Sequence, residues 1–255
     1  MKIQVLGCSG GIGKGVATTS FLVDDDILVD AGTGVCDMAL EDMRKLRHIF
    51  VTHSHLDHIA AIPLLADTLF DQLRGNPLRV YAEARTLKVL HQHVFNWAVW
   101  PDFTELPHRS NAALELVEMT PGSELEIDGR LISMITVNHS VPGVGYRIEA
   151  DGKVFAFSGD TTSNENLWSV LNSKQGLDLL IVESAFADKD LELAKLAFHY
   201  CPSLLAKDLP KLKHRPKVCI THLKPGEEQL IMQECRAALP DWDLHELSSG
   251  DVFEL

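Results

Sequence analysis

Seven consecutive residues, Thr52-His53-Ser54-His55-Leu56-Asp57-His58, carry the densest chemistry in the chain. Three imidazoles and one carboxylate fall within six positions, directly after an apolar run that reads as a strand. Side chains alternate along an extended segment, so His53 and His55 share one side. Asp57 and His58 then open a helix and reach a neighbouring position. Imidazole nitrogens and a carboxylate suit Zn²⁺ first, with Mn²⁺ or Fe²⁺ as alternatives. One short segment therefore seeds two adjacent metal positions. A loop with chance histidines is the bland alternative, and four donors in six residues weigh against it.

A metal pair needs more donors, and they recur where strands end. His139 follows an apolar run at 131–137, Asp160 follows 154–157, and His222 follows 218–221. Sites on sheet proteins usually sit on such loops. A lone His or Asp there reads as a solvated loop residue. Recurrence after the triple-histidine segment changes that balance.

The elements that must position these groups follow from periodicity and breakers. Strands are expected at 3–6, 20–23, 27–29, 49–51 and 78–82, with Asp24-Asp25-Asp26 as a hairpin turn. Helices are expected at 37–46, 57–70 and 86–96. The middle is β-rich, with runs at 115–119, 124–127, 131–137, 145–150 and 154–157, and Asp151-Gly152 marks a tight hairpin. Helices near 163–173, within 191–212 and at 227–239 then alternate with strands at 179–183 and 218–221, before a final β run to Leu255. This order predicts an α/β (α+β) protein with two mixed sheets packed face to face and helices outside, as one domain over 1–255.

Composition bounds the partners. The 255 residues hold 23 Lys plus Arg and 36 Asp plus Glu, a net charge of −13, which argues against holding long nucleic acid by broad phosphate neutralisation. A small anionic substrate stays open, because bound cations reverse the local field. No apolar run approaches the ~18 residues of a membrane helix. Five cysteines without a CxxC pair fit reduced thiols and a cytoplasmic protein.

The ordered set HxHxDH, then His, Asp and His, resembles the metallo-β-lactamase-fold hydrolases. The resemblance implies a four-layer αββα sandwich with a dinuclear site holding two divalent cations. It assigns His53, His55 and His139 to one ion, and Asp57, His58 and His222 to the other, with Asp160 bridging. Asp30, in Val29-Asp30-Ala31-Gly32, matches an early supporting aspartate of that family, although a turn aspartate before glycine reads nearly as well. Asp rather than Cys at 160 lowers β-lactam hydrolysis in rank.

Glu183, in Ile181-Val182-Glu183-Ser184, and His199, in Phe198-His199-Tyr200, resemble the Glu and His pair of the phosphodiesterase branch. A surface histidine at a helix start is the bland reading of His199. Asp57, Asp160, Glu183 and His199 are thereby given catalytic parts. Further blocks resemble class II cyclic-nucleotide phosphodiesterases: Leu6–Gly11, Leu28–Gly34, His55–Ile59, Val94–Trp97 with Trp100–Phe103, His199 with Pro202, and Ile220–Pro225. The chain departs from that family after Ile59, at Ala61, Pro63 and Ala66.

The implied activity is hydrolysis of a small phosphodiester, first a 3′,5′-cyclic nucleotide, by a metal-bridging hydroxide that attacks phosphorus, while His199 with Glu183 assists the leaving oxygen. The alternatives are a tRNA 3′-processing endonuclease, for which no long basic arm is present, and a lactone or thioester hydrolase, which would leave His199 and Glu183 without a task. A non-catalytic binding protein would not need the full donor set. Phe95, Trp97, Trp100 and Phe103 could stack a base or else pack a core or homodimer face. Gly7–Gly15 fails the P-loop pattern at Cys8 and Gly15 and reads as a mobile turn near the metal positions. His91 and His93 on a helix do not face one another, and Lys207 to Lys217 reads as a solvated basic face.

Overall fold

Along the strands, buried side chains divide by parity between two cores. On Ser20–Val23, Phe21 and Val23 face one way and Leu22 the other; on Leu179–Glu183, Leu179 and Ile181 oppose Leu180 and Val182. A period of two with both faces buried requires a layer on each side of each sheet. The computed structural model, which describes residues 1–255, has that architecture.

The first sheet contains β1 (Lys2–Gly7), β2 (Ser20–Val23), β3 (Ile27–Val29), β4 (His48–Phe50), β5 (Leu78–Ala82) and β6 (Leu114–Glu118). The second contains β7 (Glu124–Ile127), β8 (Arg130–Val137), β9 (Gly143–Ala150), β10 (Lys153–Phe157), β11 (Leu179–Glu183), β12 (Lys217–Thr221) and β13 (Leu244–Glu246). The last strand, β14 (Val252–Glu254), returns to the first sheet beside β1. The orders are β14-β1-β2-β3-β4-β5-β6 and β13-β12-β11-β10-β9-β8-β7. Both sheets are mixed, with β3 to β6 parallel in one and β10 to β13 parallel in the other. The central core between them is aromatic: Phe21 meets Phe157 edge-on at 4.9 Å, and Phe50 stacks on Tyr81 at 4.6 Å. Two outer cores pack the helices against the far faces. This is the expected α/β sandwich of two mixed sheets.

Several expected elements divide. The helix read over 57–70 is three pieces, Leu56–Ile59, Ala61–Thr68 and Phe70–Leu73. The Ala61 N–H donates to Ala31 O at 2.9 Å, and Pro63 then sits in the first turn of the next helix, where its missing N–H costs nothing. The helix read over 86–96 is Ala84–Val89 followed by a wider turn, Leu90–Val94, whose extra residue swings Phe95 into the core. The helix read over 37–46 shrinks to a 3₁₀ turn at Thr33–Asp37 and one turn at Leu40–Met43. The final β run is two strands in different sheets.

The Asp151-Gly152 hairpin forms as read. Both residues have positive φ, 52° and 73°, and Ala150 faces Lys153 across a two-residue loop. No helix is long and apolar enough to cross a membrane, and all five cysteines are free thiols.

Candidate metal centre

The C-terminal ends of β4, β8, β10, β11 and β12 meet at one edge of the sandwich. Thr52 and His53 follow β4, His139 follows β8, Asp160 follows β10, Glu183 ends β11 and His222 follows β12. The structure collects them into overlapping groups: His53, His55 and His139; Asp57, His58, Asp160 and His222; and His139, Asp160 and His199. Within each group the donor atoms lie within 4.8 Å of one another. The first two groups bring together the residues that the resemblance divides between two ions, with Asp160 in the second. Asp160 faces both, with Oδ2 at 3.7 Å from His53 Nε2, 3.2 Å from His58 Nε2 and 3.3 Å from His222 Nε2.

Each ring is aimed by what its other nitrogen holds. His58 Nδ1 donates to Asp30 Oδ2 at 2.6 Å, which turns Nε2 toward Asp160. Asp30 is fully buried with φ 58°, and it also accepts from Thr52 N at 2.7 Å and Thr52 Oγ1 at 2.8 Å. A carboxylate behind a histidine fixes tautomer and ring orientation at metal sites. Thr52 Oγ1 lies 3.0 Å from His53 Nδ1, and Thr19 Oγ1 lies 3.4 Å from His222 Nδ1. His139 Nδ1 donates to Phe198 O at 3.0 Å, leaving its Nε2 3.1 Å from His55 Nδ1. His55 thus offers Nδ1, while the other rings offer Nε2.

The turn at Gly7–Gly11 is pinned rather than free. The His222 N–H donates to Cys8 O at 2.8 Å, and Thr221 Oγ1 donates to the same carbonyl at 3.0 Å. A Cβ at Gly10 would lie 2.5 Å from His222 O, so only glycine permits this approach.

Of the seven buried side-chain polar atoms without a hydrogen-bond partner, three lie here: His53 Nε2, His58 Nε2 and Asp160 Oδ1. Buried polar atoms are normally paired, and these three converge on the same place. Burial holds His53 well below the usual imidazole range and pushes His139 and His222 down to about 4, so these rings are neutral donors at neutral pH. Burial opposes charge on Asp160, but the facing His222 and His58 outweigh it and hold the carboxyl well below its usual range. Neutral imidazoles and an ionised carboxylate are the forms that bind Zn²⁺ and its neighbours. The residues present fit a divalent cation in each group.

His199 lies beside both groups. Its ring is parallel to His222 at 5.3 Å and edge-on to His139 at 5.0 Å. Its Nδ1 donates to Glu183 Oε1 at 2.8 Å. Glu183 is fully buried and also accepts from the N–H groups of Thr161, Ala185 and Tyr200. Burial works against charge on His199, but the Glu183 carboxylate outweighs it and raises the ring above its ordinary value. A cavity of about 390 Å³ adjoins His139 and is lined by Glu83, Arg85, Asn138 and Ser140 among others.

The aromatic set does not act as one group. Phe95 and Phe103 are core residues, while Trp97 is 61% exposed. His91 and His93 stay outside the centre, as their helical spacing implied. The basic stretch is partly engaged: Lys211 pairs with Glu165 and Asp208, and Arg215 lies over Trp242 at 4.1 Å. Sequence reasoning missed Thr19 and the Phe198 carbonyl, which carry no signal before folding. Thr52 stands beside His53 in the sequence with nothing to mark its role there.

Comparison with known proteins agrees with this geometry. The family described as "Beta-lactamase superfamily domain" matches residues 26–237. A "Probable 3′,5′-cyclic-nucleotide phosphodiesterase" of Yersinia pestis is 25% identical over 280 residues, covering 89% of this chain and 79% of that protein. A "Ribonuclease Z" of Methanosarcina acetivorans is 26% identical over 254 residues, covering 77% of each. The fold superposes on unliganded yeast PDE1 with a TM-score of 0.82 at 19% identity, covering 99% of each chain.

Proposed function

We propose that this chain, which belongs to the β-lactamase superfamily and is a metal-dependent hydrolase, is a dinuclear phosphodiesterase whose first substrate class is the 3′,5′-cyclic nucleotide. The observation that carries the reading is the His199–Glu183 pair. Its Nδ1 is committed to a buried carboxylate, and its other edge shares a cluster with His139 and Asp160. Lactone and thioester hydrolysis have less use for such a pair than a phosphodiester with an alkoxide leaving group.

His53, His55 and His139 would hold one cation, Asp57, His58 and His222 the other, and Asp160 would serve both. Such a pair, most naturally Zn²⁺ for this imidazole-rich set, activates water and neutralises phosphoryl charge. The chain's own groups do the rest. Asp30 and Thr52 keep the rings of His58 and His53 in register. Glu183 holds His199 so that its Nε2 proton is available to the leaving oxygen. The cavity beside His139 offers room for the body of a small diester, with the exposed Arg85 at its wall as a counter-charge.

Tests on purified protein with added Zn²⁺ or Mn²⁺ should show turnover of cyclic AMP or of bis(4-nitrophenyl) phosphate. No turnover of any phosphodiester with any divalent metal would sink the proposal. A tRNA 3′-processing activity is the second reading, favoured by the ribonuclease Z relatives. The net charge of −13 weighs against it, and cleavage of precursor tRNA faster than cyclic AMP would decide for it.

A further inference from the structure

The helix Leu191–Ala197 ends in a Schellman turn. The His199 N–H donates to Ala194 O at 2.9 Å, and the Phe198 N–H donates to Lys195 O at 3.3 Å. The residue at the turn must be left-handed, and Phe198 has φ 59° and ψ 47°. Glycine is the default there, and a β-carbon carries a steric cost. An aromatic residue is therefore a poor backbone choice. It is also a poor packing choice, since the residue stays 38% exposed. Strain and exposure coincide at a residue whose carbonyl orients His139 and whose successor is His199. Strained, exposed residues of this kind collect at ligand sites. Two more exposed apolar side chains belong to segments of the centre: Leu56, between His55 and Asp57, is 70% exposed, and Ile12, just past the turn that backs His222, is 72% exposed.

We infer that Phe198 is the stacking platform for the base of a nucleotide substrate, so that the chain selects phosphodiesters bearing a planar ring over base-free ones. This rests on the phosphodiesterase reading and adds a specificity residue to it. The phosphate is the charged end of such a ligand, and the base is the apolar end, for which the exposed side chain of the residue that holds His139 through its carbonyl is the receiver. Trp97 makes a useful contrast. It is also left-handed and exposed, with φ 65°, but it lies on a turn between Phe95 and Trp100 and holds none of the donor residues.

Calorimetry on the metal-loaded protein compares AMP with ribose 5-phosphate, which lacks the base. The wild type should bind AMP about tenfold more tightly. Phe198→Gly and Phe198→Asn, both compatible with a left-handed backbone, should erase that preference, while Phe198→Trp keeps it. The melting temperature of Phe198→Gly should hold or rise, because the strain goes and the turn stays. In kinetics the same variants should raise KM for cyclic AMP about tenfold. The loss should fall on the nucleotide: the ratio of kcat/KM for cyclic AMP to that for the base-free cyclic phosphate of methyl riboside should drop about tenfold. An unchanged AMP preference in Phe198→Gly and Phe198→Asn, no preference in the wild type, or an unchanged kcat/KM ratio between the two substrates would overturn the inference. Absence of turnover in the wild type sinks the phosphodiesterase reading instead, and the binding comparison still decides the platform.

Discussion

The first sheet delivers its donors from one loop: His53, His55, Asp57 and His58 all follow β4 within six residues. The second sheet delivers one group per strand: His139 after β8, Asp160 after β10, Glu183 at the end of β11 and His222 after β12. The local set is close whatever the rest of the fold does, but its rings need a brace, and Asp30 supplies it from β3. The distributed set needs no such cluster. Its spacing is fixed by strand register, such as Phe157 opposite Ile181 and Glu183 opposite Thr221. A one-residue slip would turn those side chains to the other face. Local donors are thus limited by orientation, and remote donors by assembly.

The largest expected effect tests the distributed side. Asp160→Ala removes the carboxylate that faces both groups, and activity should fall by roughly 10³-fold or more. Metal analysis should show that both ions are weakened, not one. Loss of a single ion would mean that Asp160 serves only one of the two donor groups.

His199→Ala comes next. It should cost about 10²–10⁴-fold in kcat, in the range of a missing general acid, while bound metal stays at the wild-type level. Full activity would return the lactone and thioester readings to the front. On the local side, Asp30→Ala should weaken one metal by about 10–100-fold, read by competition with a chelator. An equal loss at both ions would show that Asp30 supports the whole edge rather than His58 alone.

The smallest effect concerns pH. His48 lies on β4 with Nδ1 3.1 Å from Tyr81 Oη, and burial lowers its pKa. Its contribution to stability is full above the ordinary imidazole value of about 6.5 and is lost as the pH falls below it. Urea unfolding of His48→Gln should depend less on pH between about 7 and 5 than the wild type does. An unchanged slope would shift the acid sensitivity to other groups.

Much of this was legible before folding, for physical reasons. Apolar runs followed by a single His or Asp marked strand ends, because strand side chains are dictated by burial and their termini are not. The tight Asp151-Gly152 turn was legible because few residues accept positive φ. Helix continuity was not. The break after Ile59 depends on Ala61 N–H finding Ala31 O, a partner thirty residues away. The aromatic set stayed open between stacking and packing for the same reason: the wide turn at Leu90–Val94 sends Phe95 inward, and no local propensity announces that. Asp30 read almost equally as a supporting aspartate and as a turn residue, and it is the buried brace of the centre; the sequence left the two close because its role is set by a neighbouring strand. The Gly7–Gly11 turn read as mobile, yet its carbonyls clamp the strand end that carries His222.

The division of the final β run has a mechanical consequence. β13 closes the second sheet, five residues pass across, and β14 closes the first. Within that crossing, Leu247 enters the central core, Leu247 N–H donates to Ile220 O of β12, and Gly250 N–H donates to Val5 O of β1. The crossing acts as a clasp. Shearing one sheet over the other would have to tear bonds at both ends of it. Each cation position takes donors from both sheets, so the clasp sets the spacing within each donor group much as a jig sets the gap between two workpieces.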